Sequence, residues 1–323
     1  MSLLNPLKSL FVFVLIFIGL QSNIAWGKDM KEEVVKFANV QYQKVINDTS
    51  LTPQQRLYQL SMPLLALATL KDSDGYGNVL SNMELIIKDN LQLAEIQKPW
   101  QLWMLGRMAI TSKLASDTLK LAEIKETLSI QLFEYDNKDV ITGWAFAYLA
   151  AIDKSSYEKC REKLFEYTEF ERNSYKQSPT SEASNFVWTL VMNLYASASA
   201  GNKEDYLHFL QELKSLTEKN SLKDATLLVP KEDYRQWLVS MARNSFTVMK
   251  DETSLNELEN INEPEIESLD SMLAWANEIL SGSLTLTKAS NPYSFYSQSS
   301  SEIDKRSTQE NVVTVATYKY EKS

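Results

Sequence analysis

The chain has 323 residues, 44% of them hydrophobic, and a formal net charge of −9 at pH 7. This acidic balance argues against a protein that binds the phosphate backbone of a nucleic acid, because that mode needs a concentrated cationic face. Cys160 is the single cysteine, which excludes an intramolecular disulfide, so the core must hold the fold. The length suffices for one large domain or two modest ones.

Residues 1–27 have the pattern of a secretory signal peptide. Lys8 supplies the positive charge that precedes the apolar run Leu10–Leu20. This run is too short to span a bilayer. Small residues, ending with Gly27, then predict cleavage before Lys28, and a retained anchor is the alternative reading.

The leader predicts export. We expect a protein of the bacterial periplasm, or one that is released from the cell, with no membrane span in the mature chain, because no second long apolar run follows Leu20. Cleavage removes Lys8 and no acidic residue, which changes the formal net charge from −9 to −10.

The body of the chain is predicted to be all-α. Glycine is scarce, at 8 of 323 residues, and few segments alternate as strands do. An apolar stripe predicts a first helix over Met30–Asn47. Thr52 followed by Pro53 and Gln55 predicts a capped start for the next helix. We expect about ten to twelve helices on this periodicity.

Further helix boundaries follow from local signals. Capping boxes are predicted at Ser155 and at Ser254, because a glutamate follows each serine three residues later. Pro230 and Pro264 are typical of a first helical turn, whereas Pro63 is predicted to bend or split its helix. Turns are predicted at Gly75/Gly77, Asn137, Gly201-Asn202 and Gly282.

A weak aromatic repeat runs through the helical region, at spacings of roughly 40 to 50 residues. Its members are Tyr58, Trp103, Trp144, Trp188, Trp237 and Trp275. Four residues later, on the same helix face, comes an apolar residue or tyrosine in every case except Arg107. The repeat predicts five or six helical hairpins that stack into an α-solenoid or close into an α/α toroid.

We expect most of these tryptophans to be core anchors between hairpins, since they stand at helical spacing among apolar residues. Trp100 is the expected exception, because it lies at a helix start. The alternative is that the tryptophans line a sugar-binding groove.

One hairpin resembles a tetratricopeptide repeat. The matching positions are Trp144, Ala147, Ala151, Tyr157, Cys160, Leu164 and Tyr167. Tyr148 stands where the family has a glycine, and Cys160 occupies a small-residue position. The other units match poorly, so the resemblance concerns architecture. It implies a concave surface that binds peptides or other proteins.

Three regions are therefore predicted. Residues 1–27 are the signal peptide, and residues 28–289 form the helical-repeat domain. Residues 290–323 form a Ser-rich tail with a possible strand at 311–320. We leave open whether this segment is disordered, pairs with a local segment or adds to the sheet edge of a partner.

A segment rich in aspartate resembles an EF-hand calcium loop between two predicted helices. Gly77 stands at the sixth loop position, but Tyr76 and Met83 occupy positions where oxygen ligands belong. The candidate metal ligands are Asp72, Asp74, Asn78 and Glu84. The competing interpretation is a turn between two helices with solvated carboxylates.

The sequence favours no catalytic centre. His208 is the only histidine, so a His-rich zinc site is excluded, and Cys160 is predicted to be a buried thiol. Acidic residues are abundant, but they lie on faces that also carry lysine or asparagine. We therefore assign no catalytic residue and no cofactor, apart from the candidate calcium site.

The predicted function is a non-catalytic scaffold or adaptor that binds another protein, of unknown identity, along a concave helical face. The first alternative is a carbohydrate-active enzyme or carbohydrate binder built on an α/α toroid. The second alternative is a partner binder that calcium modulates.

Overall fold

A computed structural model of the protein describes residues 31–90, 97–135 and 137–258. Twelve helices and no strands occupy these ranges, which confirms the all-α prediction. In chain order they are α1 (residues 31–47), α2 (Pro53–Thr69), α3 (Ser73–Asn90), α4 (Lys98–Ala115), α5 (Thr118–Glu134), α6 (Val140–Ala150), α7 (Lys154–Gln177), α8 (Pro179–Ala200), α9 (Lys203–Ser215), α10 (Leu222–Thr226), α11 (Glu232–Met249) and α12 (Glu252–Leu258).

Several predictions fall outside the described residues. These are the signal peptide at residues 1–27, the boundary at residue 289, the Ser-rich tail with its possible strand, and the positions Pro264, Trp275 and Gly282.

The predicted start of α2 is confirmed. Thr52 Oγ1 accepts a hydrogen bond from the Gln55 backbone N–H at 3.2 Å, and Gln55 Oε1 accepts one from the Thr52 N–H at 2.9 Å. Pro53 is the first residue of the helix. The predicted split at Pro63 is wrong, because α2 runs through this buried residue to Thr69.

The other two capping boxes are wrong, because an aspartate takes the capping position in each case. Asp153 Oδ1 accepts from the Ser156 N–H at 2.8 Å and begins α7. Asp251 Oδ1 accepts from the Ser254 N–H at 3.1 Å ahead of α12. Aspartate is as good an N-cap as serine, and here it comes earlier in the chain.

The predicted turns have mixed outcomes. Gly201, at φ 70°, ends α8 in the left-handed region that favours glycine, and Asn202 caps α9, as predicted. The turn at Gly75/Gly77 is wrong, because both glycines lie inside α3. The chain turns earlier, at Lys71, whose φ is 61°. Pro230 precedes α11 by two residues and so stands outside its first turn.

The helices pack as five successive pairs: α2 with α3, α4 with α5, α6 with α7, α8 with α9, and α11 with α12. The first helices of the pairs contact one another in chain order, α2 to α4 to α6 to α8 to α11. Gly106 allows the close approach of α4 and α6, since a Cβ there would lie 2.9 Å from the Tyr148 Cβ.

Tyrosines near the start of the second helices tie three of the five pairs to the pair that follows. Tyr157 donates to Asp205 Oδ2 at 2.8 Å, and Tyr206 donates to Asp251 Oδ2 at 2.8 Å. The Tyr76 and Ser112 hydroxyls lie 3.0 Å apart in an equivalent place. Each of these tyrosines reaches the following pair, to an aspartate in two cases and to a serine in the third, so these hydrogen bonds help to hold neighbouring pairs together.

One hydrophobic cluster extends from Val34 to Leu258, so the described helices share a continuous core. None of these helices is both long and apolar enough to cross a membrane.

Candidate binding cavity

The first helices of the pairs enclose a cavity of about 730 Å³. Its walls come from the N-terminal parts of α2, α4, α6, α8 and α11, and from the links that precede α6 and α11. All five packed pairs therefore contribute a wall through their first helix. The volume lies within the range of sites that bind small ligands or short segments.

The repeated aromatic residues line this cavity and contact one another around it. The Tyr58 and Trp103 rings stack, with centroids 5.7 Å apart at an interplanar angle of 15°. Trp188 lies 6.4 Å from Trp144 and 5.0 Å from Trp237. The sequence repeat thus places one aromatic residue per pair on the same wall.

The expectation that the tryptophans are core anchors is half right. Trp103 and Trp237 are 5% and 6% exposed, and both pack against other rings, but their remaining surface faces the cavity. Trp144 and Trp188 are only half-buried. Trp100, the expected exception, is 8% exposed and lines the cavity with the others. All five tryptophans therefore both pack against neighbouring side chains and line the cavity.

Arg107 links two aromatic residues of this arc that belong to distant helix pairs. Its guanidinium carbon lies 4.6 Å from the ring centroid of Trp103 and 5.0 Å from that of Trp237. These distances are typical of cation–π contacts. Since Arg107 belongs to α4 and Trp237 to α11, the contact brings the second and fifth pairs together behind the cavity.

Polar groups lie at the cavity rim. Lys138 forms an ion pair with Glu166, with Nζ and Oε1 2.5 Å apart. The two oxygens of Asp139 accept from the N–H and hydroxyl of Thr142, at 2.9 and 2.8 Å, as the cap of α6. Lys231 Nζ lies 5.2 Å from the ring centroid of Tyr234 on α11. Amides and hydroxyls complete the rim: Gln54, Gln97, Asn137, Thr180, Ser181, Ser184 and Asn185.

The described lining residues supply no pair of carboxylates for acid–base catalysis. Among the described lining residues Asp139 is the single acid, and its oxygens already cap a helix. Hydrolysis of a glycosidic bond normally needs two carboxylates that flank the bond. Burial raises the pKa of the Tyr148 hydroxyl, although the nearby charge of Arg107 acts in the opposite direction, so this phenol stays neutral near pH 7.

The candidate calcium ligands do not surround a loop. The predicted helix–loop–helix is wrong, because Asp74, Asn78 and Glu84 all lie on α3. Ten residues of helix separate Asp74 from Glu84 by about 15 Å, whereas calcium ligands lie about 2.3–2.6 Å from one ion. Asp72 Oδ2 accepts from an asparagine amide of α1 at 3.3 Å, and Glu84 pairs with Lys120 at 2.8 Å.

Within the described ranges, no cluster of three or more histidine, cysteine or acidic side chains is arranged to hold a metal ion. Calcium binding stays a prediction, now without the loop that motivated it.

Other predicted reactive residues lie away from the cavity. Cys160 is fully buried in α7, which confirms the predicted buried thiol, and this burial raises the pKa of the thiol to about 12. His208 lies on α9, half exposed, 3.7 Å from Glu212 Oε2. Acidic residues such as Glu123 and Asp153 pair with lysines on the helix surfaces.

Sequence reasoning missed one wall of the cavity. The link at 228–231 and Tyr234 close it beside α11, but they follow the short helix α10, which interrupts the repeat and carries no periodic signal. The ligand has to be inferred from the geometry itself, because no family model matches the chain and no curated protein or solved structure is detectably similar to it.

Proposed function

We propose that this protein is an exported, non-catalytic helical-repeat protein that binds a segment of another protein in the aromatic cavity. The observation that carries the proposal is the cavity itself: one wall residue of the same aromatic repeat comes from each of five successive helix pairs. A repeat that builds a shared concave surface is typical of proteins that recognise peptides or other proteins.

The packing order supports an α-solenoid rather than a toroid. α2 packs chiefly on α3 and α4, and α11 packs chiefly on α8 and α12, so the strong contacts follow chain order. Strong curvature brings α4 and α11 side chains together behind the cavity, as the Arg107–Trp237 contact indicates. The curvature turns a shallow groove into a pocket with walls.

The walls suit apolar side chains. Trp100, Trp103 and Trp237 are each less than 10% exposed, so they present ring edges and small patches rather than open, flat platforms. Such surfaces enclose bulky side chains, and aromatic anchors dominate the energetics of protein interfaces. The polar rim supplies hydrogen-bond partners for the backbone of a bound segment.

A carbohydrate ligand is the second candidate. It is favoured by Trp144 and Trp188, which are half-buried and lie near the amides of Asn137 and Asn185. An indole with a free face beside amide groups can stack on a sugar ring and hydrogen-bond to its hydroxyls.

The test is selection of phage-displayed random peptides on the purified protein, followed by calorimetric titration of the enriched synthetic peptide. We expect Trp188→Ala to weaken binding about tenfold or more, since it removes a central aromatic anchor. Phe133→Ala is the matched control, because Phe133 is 40% exposed and lies on α5 outside the cavity wall.

Equal loss of affinity in both variants would place the peptide outside the cavity and contradict the proposal. Failure to enrich any peptide, together with binding of a defined oligosaccharide that Trp188→Ala abolishes, would establish the carbohydrate alternative.

A further inference from the structure

The buried cation behind the cavity has unused hydrogen-bond donors. Arg107 is 1% exposed, and its Nη2 donates to the sulfur of Met62 at 3.3 Å, a weak acceptor. Its Nε and Nη1 are buried with no hydrogen-bond partner among the described residues. Trp237 Nε1 is likewise buried and without an acceptor there. Arg107 Nε, Arg107 Nη1 and Trp237 Nε1 are thus three buried donors without an acceptor, on two side chains in contact: the guanidinium carbon lies 5.0 Å from the Trp237 ring centroid.

Such an arrangement is costly for the folded protein. A buried guanidinium normally faces a carboxylate, because leaving its donors unpaired forfeits their hydration without replacement. The two indole faces of Trp103 and Trp237 compensate the charge in part, but they accept no hydrogen bonds in the guanidinium plane. A ligand oxygen in that plane would accept the hydrogen bonds that no described residue accepts from these donors.

The local charge is consistent with the same ligand. Among the described lining residues the cations are Lys138, which is paired with Glu166, and Lys231, and the one carboxylate is that of Asp139. Arg107 lies behind them and makes no hydrogen bond to an acidic side chain among the described residues. A bound carboxylate would therefore meet a positive charge that no described acid pairs with through a hydrogen bond.

We propose that the bound segment carries a carboxylate that pairs with Arg107, with the Trp237 indole N–H as a second donor. The ligand class is therefore an apolar peptide segment that presents either its C-terminal carboxylate or an acidic side chain. The inference rests on the proposed peptide-binding function and adds the chemistry that selects among peptides. Charge-assisted pairs of this kind are the strongest hydrogen bonds available to a peptide.

Access to Arg107 requires movement of a side chain that covers it, and Trp237, which lines the cavity and contacts the guanidinium, is the one we expect to move. The donor atoms are covered, and Trp237 is held by ring contacts with Trp188 and Arg107, with no hydrogen bond from its indole nitrogen. Rotation of this side chain would break those contacts and give a carboxylate in the cavity a route to the guanidinium. Binding of a carboxylate should therefore change tryptophan fluorescence.

The experiment titrates three probes into the purified protein by calorimetry and by tryptophan fluorescence. They are N-acetyl-Phe-Phe with a free C-terminal carboxylate, the same dipeptide as its C-terminal amide, and N-acetyl-Phe-Glu amide, whose carboxylate is on the side chain. We expect at least one acid to bind about tenfold more tightly than the Phe-Phe amide. The acid that binds more tightly identifies which carboxylate the site prefers.

Arg107→Met is the informative variant. Methionine stands at the equivalent repeat position in three other pairs, as Met62, Met192 and Met241, so the substitution should fold, which circular dichroism checks. We expect it to reduce affinity for the acid to that of the amide and to leave the amide unchanged, while Arg107→Lys keeps part of the preference. Lys176→Met, an exposed lysine on α7, is the control for net charge.

Equal binding of acids and amide, or a preference that survives Arg107→Met, would overturn the inference and leave the peptide-binding function intact. No binding of any probe, together with no enriched peptide in the library selection, would overturn both proposals.

Discussion

Asp205 provides the sharpest test of how neighbouring helix pairs are joined. Its carboxylate is 2% exposed and accepts from the Tyr157 hydroxyl at 2.8 Å. It also accepts from Arg161 through Nε at 2.6 Å and Nη2 at 2.7 Å, and from Asn202 Nδ2 at 2.9 Å. α7 is thereby fastened to the start of α9, which fixes the angle between the pairs that carry Trp144 and Trp188.

Asp205→Asn keeps the shape and removes the charge. Tyr157 is fully buried, so its hydroxyl loses a strong acceptor at a cost of about 1–3 kcal/mol. The Arg161 side chain is 43% exposed and regains water, so its lost pair adds only about 1 kcal/mol. We expect the free energy of unfolding to fall by about 3 kcal/mol at pH 7, on these two terms together.

The pH dependence supplies a second signature. Burial opposes the Asp205 charge, but the hydrogen bonds from Arg161 and Tyr157 outweigh burial and hold the pKa of this carboxyl below its ordinary value. A lowered pKa stabilises the fold above the unfolded value of about 3.9, and this contribution is lost as the pH falls toward the folded pKa. The difference between wild type and Asp205→Asn should therefore shrink below about pH 4.

Urea unfolding followed by far-UV circular dichroism measures both effects through the extrapolated free energy. Asp224→Asn is the control, because its partner Lys219 is 80% exposed and lies 3.5 Å away, so the expected loss is about 0.5 kcal/mol. Similar losses in the two variants, or a difference that persists unchanged to low pH, would refute the view that the buried carboxylate fastens the pairs.

Three further outcomes are expected. Gly106→Ala should lower the melting temperature, because the added Cβ would lie 2.9 Å from the Tyr148 Cβ and cost about 1–3 kcal/mol. Gly77→Ala should raise the melting temperature, because its Cβ meets open space inside α3. Shifts of the melting temperature in the same direction for both variants would contradict this reasoning. Cys160 should resist a thiol reagent until denaturant is added, and prompt labelling of the native protein would contradict its burial and raised pKa. Mass spectrometry of the protein recovered from the cell envelope should give a chain that begins at Lys28, and an intact leader would favour the anchor.

Much of the fold could be predicted because helical periodicity and capping are local. The start of α2 needed only Thr52, Pro53 and Gln55 in sequence. The errors arose where two local signals competed. The serine box at Ser155 lies two residues after Asp153, which caps the helix instead. The two glycines Gly75 and Gly77 indicate a turn, but the chain turns earlier, at Lys71.

The cavity could be predicted only in part. The aromatic spacing placed Tyr58 and the tryptophans on equivalent helices, which is a periodic property of the sequence. Whether those rings face a core or a cavity depends on the curvature of the helix stack. This curvature is determined by contacts between side chains that are distant in sequence. Tyr157 with Asp205 is one such pair, and no single-sequence pattern indicates which hydroxyl reaches which carboxylate.

The repeat identifies Arg107 as the first residue to mutate. Four positions after each described aromatic of the repeat, the chain has methionine or tyrosine, and the single departure among these five positions is Arg107 after Trp103. Places where a sequence breaks its own structural rule at a cost in stability are expected to be functional sites. The structure puts this one departure behind the cavity with two guanidinium nitrogens unpaired. If Arg107 served packing alone, methionine, which occupies the equivalent position in three other pairs, could replace it without loss. The presence of a charged residue there therefore argues for a ligand that pairs with it.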